Sequence, residues 1–242
     1  MRPNILSNIY IFDKMNQMNK TTMPKIISIE GNIGTGKSTI LKKLEEKYAD
    51  DETVVFIKEP VDVWEQIRDA SGENILQKFY ADSGKYAFPF QVVAYITRYS
   101  ALATAIRENP DCRVIICERS LDADCQIFAK MLFDDGIIED VCYQIYKKIY
   151  DEYSGAYPVS GYIYIDSDAE VCARRIGKRG RDGEAAIPLE YLEKCKKYHD
   201  KWLLRSSKVD RVLYLNTNED VTYENDMGNV WIGRIGEFME EV

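Results

Sequence analysis

Five short runs rich in β-branched and aromatic residues punctuate the chain: KIISIE at 25–30, TVVFIK at 53–58, RVIICE at 113–118, GYIYID at 161–166 and RVLYLN at 211–216. Each is nearly continuous in apolar character rather than alternating, the pattern of strands covered on both faces. Longer segments with helical spacing lie between them, beginning with 39–48, so the pattern predicts a parallel five-stranded sheet with helices on both faces. The interval 59–112 is too long for one crossover helix. It predicts several helices, including a long one near 88–108, with Pro89 at its start and Pro110 after its end. No repeat or linker interrupts the rhythm, which assigns residues 25–242 to one α/β domain. Residues 1–24 are polar and irregular, with four methionines, and read as a disordered N-terminal extension. A mitochondrial transit peptide is the alternative, but a lone Arg2, Asp13 and few serines suit one poorly.

The first strand runs into Gly31-Asn32-Ile33-Gly34-Thr35-Gly36-Lys37-Ser38 and then a helix beginning at Thr39. This G-x-x-x-x-G-K-S spacing, between a strand and a helix, is a phosphate-binding loop. Its glycines let backbone N–H groups converge on phosphate oxygens, and the helix N-terminus adds positive potential. Lys37 is placed to reach the β- and γ-phosphates and the Ser38 hydroxyl to ligate Mg²⁺. The motif indicates a nucleoside triphosphate without indicating the acceptor. The N-K-x-D base-reading motif of GTPases is absent.

In an open parallel sheet, ligands sit beyond the carboxyl ends of the strands. Strand two ends in Lys58-Glu59-Pro60-Val61 and strand three in Glu118-Arg119-Ser120, so Glu59, Glu118 and Arg119 should face the loop. A hydroxyl acceptor needs a carboxylate for its proton and a cation for developing charge; Glu59 and Arg119 match that need, and spacing alone leaves a surface ion pair as the alternative.

Composition narrows the classes further. At 242 residues, 45% hydrophobic and 30% charged, the chain is an ordinary globular protein. No apolar run approaches the ~20 residues of a membrane span, which predicts a soluble protein without a membrane partner. A formal charge of −8 argues against a nucleic-acid partner. The six cysteines lack C-x-x-C spacing and His199 is the single histidine. A zinc site, a disulfide framework and a Ser-His-Asp mechanism are therefore not expected, and a reducing, cytoplasmic location is.

The ordered set G-N-I-G-T-G-K-S-T, K-E-P-V-x-x-W, F-P-F-Q, E-R-S-x-x-x-D, R-G-R, I-P-L-E-Y-L and N-E-D, spread over about residues 25–220, resembles the deoxynucleoside kinases that act on deoxycytidine and deoxyguanosine. The resemblance implies a P-loop NTPase-type sheet with a helical lid, usually a homodimer through helices outside the sheet. The implied activity is transfer of the ATP γ-phosphate to a deoxynucleoside 5′-hydroxyl, in nucleotide salvage, with Mg²⁺. It makes Glu59 the general base, Arg119 its partner at the same oxygen, and Glu118 a metal ligand with Ser38. Gln91 would read the nucleobase, Arg98 and Asp124 would pair beside it, Phe128 would stack on it, and Trp64 and Phe90 would line the pocket. On a helix Gln91, Ala94 and Arg98 share one face, as do Asp124 and Phe128. Without the resemblance the aromatics would read as core and Arg98–Asp124 as a structural ion pair.

Five basic residues crowd 174–181. Such a run is often a solvated helix face; a lid closing on the triphosphate fits it better in an acidic protein. The resemblance assigns Arg175, Arg179 and Arg181 to that lid, Glu184 to the sugar 3′-hydroxyl, and Tyr80 and Tyr191 to its surroundings. Asn218, Glu219 and Asp220 match the turn that passes the adenine, followed here by Val221. Because thymidine-preferring relatives generally lack the Arg–Asp pair, Arg98 and Asp124 point to deoxycytidine and purine deoxynucleosides. The competing readings are a thymidine-preferring or broad-specificity kinase, a nucleoside monophosphate kinase, and a nucleotide-binding protein without catalysis. A monophosphate kinase needs further cations for the acceptor phosphate.

Overall fold

The structure, a computed structural model, describes residues 23–181, 183–184, 187–223 and 227–242. The extension assigned to 1–24 lies outside the described residues except for its last two. Five parallel strands form one sheet in the order β2-β3-β1-β4-β5: β1 Lys25–Glu30, β2 Val54–Ile57, β3 Val114–Glu118, β4 Gly161–Asp166 and β5 Val212–Asn216. Their register places Ile27 beside Ile116 and Ser28 beside Tyr162. All five expected strands form, and three of them start one residue later than the apolar run suggests.

The apolar continuity of the strands has its cause in two cores. Ile27, Ile29, Ile116, Ile163 and Ile165 face one way, against α1 (Lys37–Lys47) and the C-terminal α9 (Met227–Glu241). Ile26, Ile115 and Cys117 face the other way, where Leu102 of α4 (Ser83–Glu108) packs, and Tyr164 meets α5 (residues 121–134) and α8 (Leu189–His199). The long interval holds α2 (Val61–Gln66), α3 (Ile75–Ala81) and α4. Asn74 and Gln77 form a reciprocal capping box at the start of α3.

Two expectations need correction. Pro89 lies inside α4 rather than at its start, because Asp82 caps the helix by accepting from the Lys85 backbone N–H. The proline then costs that long helix one internal donor. Residues 124–129 are not α-helical; α5 widens there into a π-turn, Asp124–Ala129. Asp124 and Phe128 therefore share a face across a π-turn, a feature frequent at functional sites. The remaining helices are α6 (Asp140–Tyr153) and α7 (Ala169–Arg179), and α8 continues into a second wide turn, Asp200–Leu204.

Candidate active site

The phosphate loop is held by close approach. Gly31 has φ +147°, and a Cβ there would stand 2.2 Å from the Ile165 carbonyl oxygen of β4. Gly34, at φ +85°, would press a Cβ to 2.7 Å from the Cys172 carbonyl of α7. Only glycine fits both positions. The Asn32 side chain donates to the Leu192 carbonyl at 2.7 Å, tying the loop to α8. Lys37 is buried and donates to the Asn32 carbonyl at 2.7 Å. Burial, with Arg119 adding to it, lowers its ammonium to about 8 against the opposing pull of Glu118 and Glu59. The Ser38 hydroxyl donates to Glu118 Oε1 at 2.8 Å, joining α1 to the end of β3.

Across the cleft, four charges alternate. Arg98 of α4 donates from Nη1 to Asp124 and from Nη2 to Glu59, and Arg119 Nε stands 3.2 Å from the same Glu59 oxygen, Oε1. Burial would push Glu59 up, but Arg98, Arg119 and Lys37 outweigh it and hold the carboxyl near 2. Asp124 has one guanidinium partner and deeper burial, which carries it up to about 6.

Arg119 has φ +68°, the one positive φ at a non-glycine among the described residues. Glu30 at the end of β1 fixes that strained turn. It accepts from the Ser120 N–H at 2.8 Å, the Ser120 hydroxyl at 2.6 Å and the Ser28 hydroxyl at 2.7 Å. Burial raises the Glu30 carboxyl, with Arg119 opposing. The sequence reading missed Glu30 and Ser28. Their signal was a charged residue closing a strand buried on both faces.

Aromatic residues wall the part of the cleft around Arg98 and Arg119. Trp64 meets Phe90 edge-on at 5.3 Å, Phe79 stacks on Phe90 at 5.0 Å, and the Arg98 and Arg119 guanidiniums lie over Trp64 and Phe128 at 5.0 and 4.7 Å. Gln91 is buried, and its Oε1 has no hydrogen-bond partner within the protein; the same holds for Asp124 Oδ2, Arg98 Nε and Arg119 Nη1. Such groups are costly unless a ligand satisfies them.

At the other end Arg175, Arg179 and Arg181 are engaged by carboxylates. Arg179 and Arg181 both pair with Glu184, while Arg175 donates to Asp220 at 2.9 and 3.0 Å and to the Glu219 carbonyl at 3.0 Å. Asp220 is held below the usual carboxylate range by its bonds to Arg175.

One cleft of about 660 Å³ gathers the predicted site residues except Gly31 and Asn32, at the base of the loop, and Asn218 of the turn after β5. Tyr80, Tyr191, Glu184 and Thr39 line it, as do Ile33, Thr35 and Gly36. It also takes in Phe79, Lys178, Tyr223 and Trp231, which the sequence reading did not assign. The fit of Mg²⁺ can be judged from the donors. A hydroxyl and a carboxylate beside a phosphate loop are hard oxygen ligands of the kind this ion takes, with substrate phosphates and water completing its shell.

A glycine loop feeding a helix N-terminus, opposite a carboxylate clamped by two arginines at the carboxyl edge of a parallel sheet, defines a P-loop phosphotransferase with a hydroxyl-bearing acceptor. Comparison narrows the class: the deoxynucleoside kinase family model matches residues 27–240, and the chain belongs to that family. A probable deoxycytidine kinase of fowlpox virus (strain NVSL) is 31% identical over 224 residues, 90% of this chain and 89% of the relative. Deoxycytidine kinase of Bos taurus is 33% identical over 232 residues, 85% and 88% of the two chains. Mitochondrial deoxyguanosine kinase of Xenopus laevis is 28% identical over 246 residues, 91% and 92%. The protein is an ATP-dependent deoxynucleoside kinase, and the monophosphate kinase reading is not favoured.

Proposed function

We propose that the acceptor is deoxycytidine or a purine deoxynucleoside and that Glu59 is the general base on its 5′-hydroxyl. The observation that carries the reading is the Glu59 carboxylate, held between Arg98 and Arg119 in the same cleft as Lys37 and the phosphate loop. Glu59 takes the hydroxyl proton as the oxygen attacks the γ-phosphorus, whose bond to the β,γ-bridging oxygen breaks so that ADP leaves with that electron pair. Arg119 orients that oxygen, and Lys37 with the loop N–H groups neutralises charge spreading over the transferring phosphoryl. Ser38 and Glu118 would hold Mg²⁺, which would offset negative charge on the triphosphate. Arg175, Arg179 and Arg181 exchange their carboxylate partners for the triphosphate, which frees Glu184 for the sugar 3′-hydroxyl beside Tyr80 and Tyr191. Glu219 and Asp220 border the donor base.

Base selection rests on Gln91, whose amide can donate and accept, and on the Arg98–Asp124 pair beside it. The thymine methyl would press into this charged end and desolvate it. Names of the relatives, deoxycytidine and deoxyguanosine kinases, agree with that preference. The molecule works as a homodimer in the cytoplasm. The exposed apolar residues Ile96 of α4 and Val141 and Ile145 of α6 support a subunit face there, 46%, 62% and 47% exposed in the single chain. A panel of deoxycytidine, deoxyguanosine, deoxyadenosine and thymidine with ATP and Mg²⁺ tests the reading. Thymidine should give the lowest kcat/KM, and a thymidine preference would refute it.

A further inference from the structure

The charge chain Asp124–Arg98–Glu59–Arg119 joins the end of the pocket that meets the nucleobase to the end that meets the phosphoryl group. Arg98 is its hinge: one guanidinium holds two carboxylates with different tasks, and its Nε has no partner within the protein. Gln91 Oε1 and Asp124 Oδ2, in the same cleft, also lack partners within the protein and are the groups proposed above to meet the nucleobase. A base that turns an acceptor toward Arg98 would compete with Glu59 for its donors, since Nη1 and Nη2 are already engaged by Asp124 and Glu59.

We infer that Arg98 is a positioning residue that couples base recognition to the rate of phosphoryl transfer: bound nucleobase draws its guanidinium from Glu59, and the freed carboxylate becomes the stronger proton acceptor. Without the base, Glu59 faces Arg98 from α4, Arg119 from the turn after β3 and Lys37 from α1, with Tyr80 of α3 and Asp124 of α5 close enough to be felt. Three cations on one carboxylate stabilise its charge and weaken it as a base. Withdrawing one cation corrects this only in the complex with a proper acceptor. Base binding thus contributes to kcat and not only to KM, the signature of binding energy realised in the transition state. The inference rests on Glu59 as the proton acceptor proposed above.

The test compares deoxycytidine with 1,2-dideoxyribose, which offers the same 5′-hydroxyl and no base. Wild type should show kcat at least about tenfold lower for the baseless sugar at saturation. In Arg98→Gln with Asp124→Asn, a neutral pair that strands no charge, that kcat gap should close to within about threefold, whatever happens to KM. A second readout needs no variant. In wild type the acid limb of kcat for deoxycytidine should lie at higher pH than the acid limb of kcat/KM, because free enzyme holds Glu59 under Arg98 and the complex does not. Coincident limbs, or an undiminished gap in the double variant, would overturn the coupling. Glu59→Gln separates the two ideas. If it is slow while the gap persists in the double variant, only the coupling falls; if it keeps the wild-type rate, the proton-acceptor assignment falls and takes the coupling with it.

Discussion

At the scale of single residues, the site depends on charge held where water is scarce. Lys37 is buried against its own loop, donating to the Asn32 carbonyl, and is the cation proposed above to meet the phosphates. Lys37→Ala should remove most phosphoryl transfer while leaving the fold intact, checked by steady-state turnover beside a circular dichroism melt. Glu59→Gln keeps the shape and hydrogen bonding of the carboxylate but cannot take a proton. Its kcat should fall by roughly 10²–10⁴ with deoxynucleoside affinity largely kept, as measured by turnover and calorimetric binding. Most of these residues were legible in the sequence because the chemistry fixes their types and spacing. The linkage of Arg98 to Glu59 was not, since 39 positions separate them and only the fold brings them together.

At the scale of elements, the strands read plainly because burial on both faces removes polar positions from them, as at Ile26 to Ile29 around a single Ser28. What the sequence concealed were departures from regular geometry that tertiary packing imposes. The π-turn at Asp124–Ala129 has no compositional signature; it sets Asp124 toward Arg98 and Phe128 beneath Arg119. The strained backbone at Arg119 likewise depends on Glu30, a residue of another strand. Glu30→Ala removes acceptors from the buried Ser28 and Ser120 groups. It should cost about 1–3 kcal/mol of stability in urea unfolding. Because Arg119 then loses its turn, kcat should drop by more than the loss of folded protein explains. A variant with unaltered kcat per folded molecule would show that Glu30 serves stability alone.

At the scale of the whole molecule, a chain of net charge −8 gathers Lys37, Arg98, Arg119, Arg175, Arg179 and Arg181 in its cleft, where carboxylates such as Glu59, Asp124, Glu184 and Asp220 pair with most of them. Among the described residues no helix is long and apolar enough to cross a membrane. The single histidine, His199, is fully buried with Nδ1 2.7 Å from the Cys195 carbonyl and its ring stacked on Tyr164. Burial, reinforced by Arg119, lowers its imidazole well below the usual value. The folded state therefore refuses a proton that the unfolded chain accepts below about pH 6.5. The resulting stability is complete above that pH and is lost as pH falls toward the folded value, by about 1.4 kcal/mol per pH unit. Between pH 7.5 and 5.5 wild type should lose more stability than His199→Gln, and equal losses in urea midpoints would contradict this. The central claim concerns the whole assembly of loop, carboxylate and base pocket. Its most direct measurement is product analysis after incubation of wild type with γ-labelled ATP, Mg²⁺ and deoxycytidine. The account predicts label in deoxycytidine 5′-monophosphate, with Glu59→Gln forming it at least about a hundredfold more slowly. Binding of ATP without any labelled deoxynucleoside monophosphate, from deoxycytidine or either purine deoxynucleoside, would contradict it.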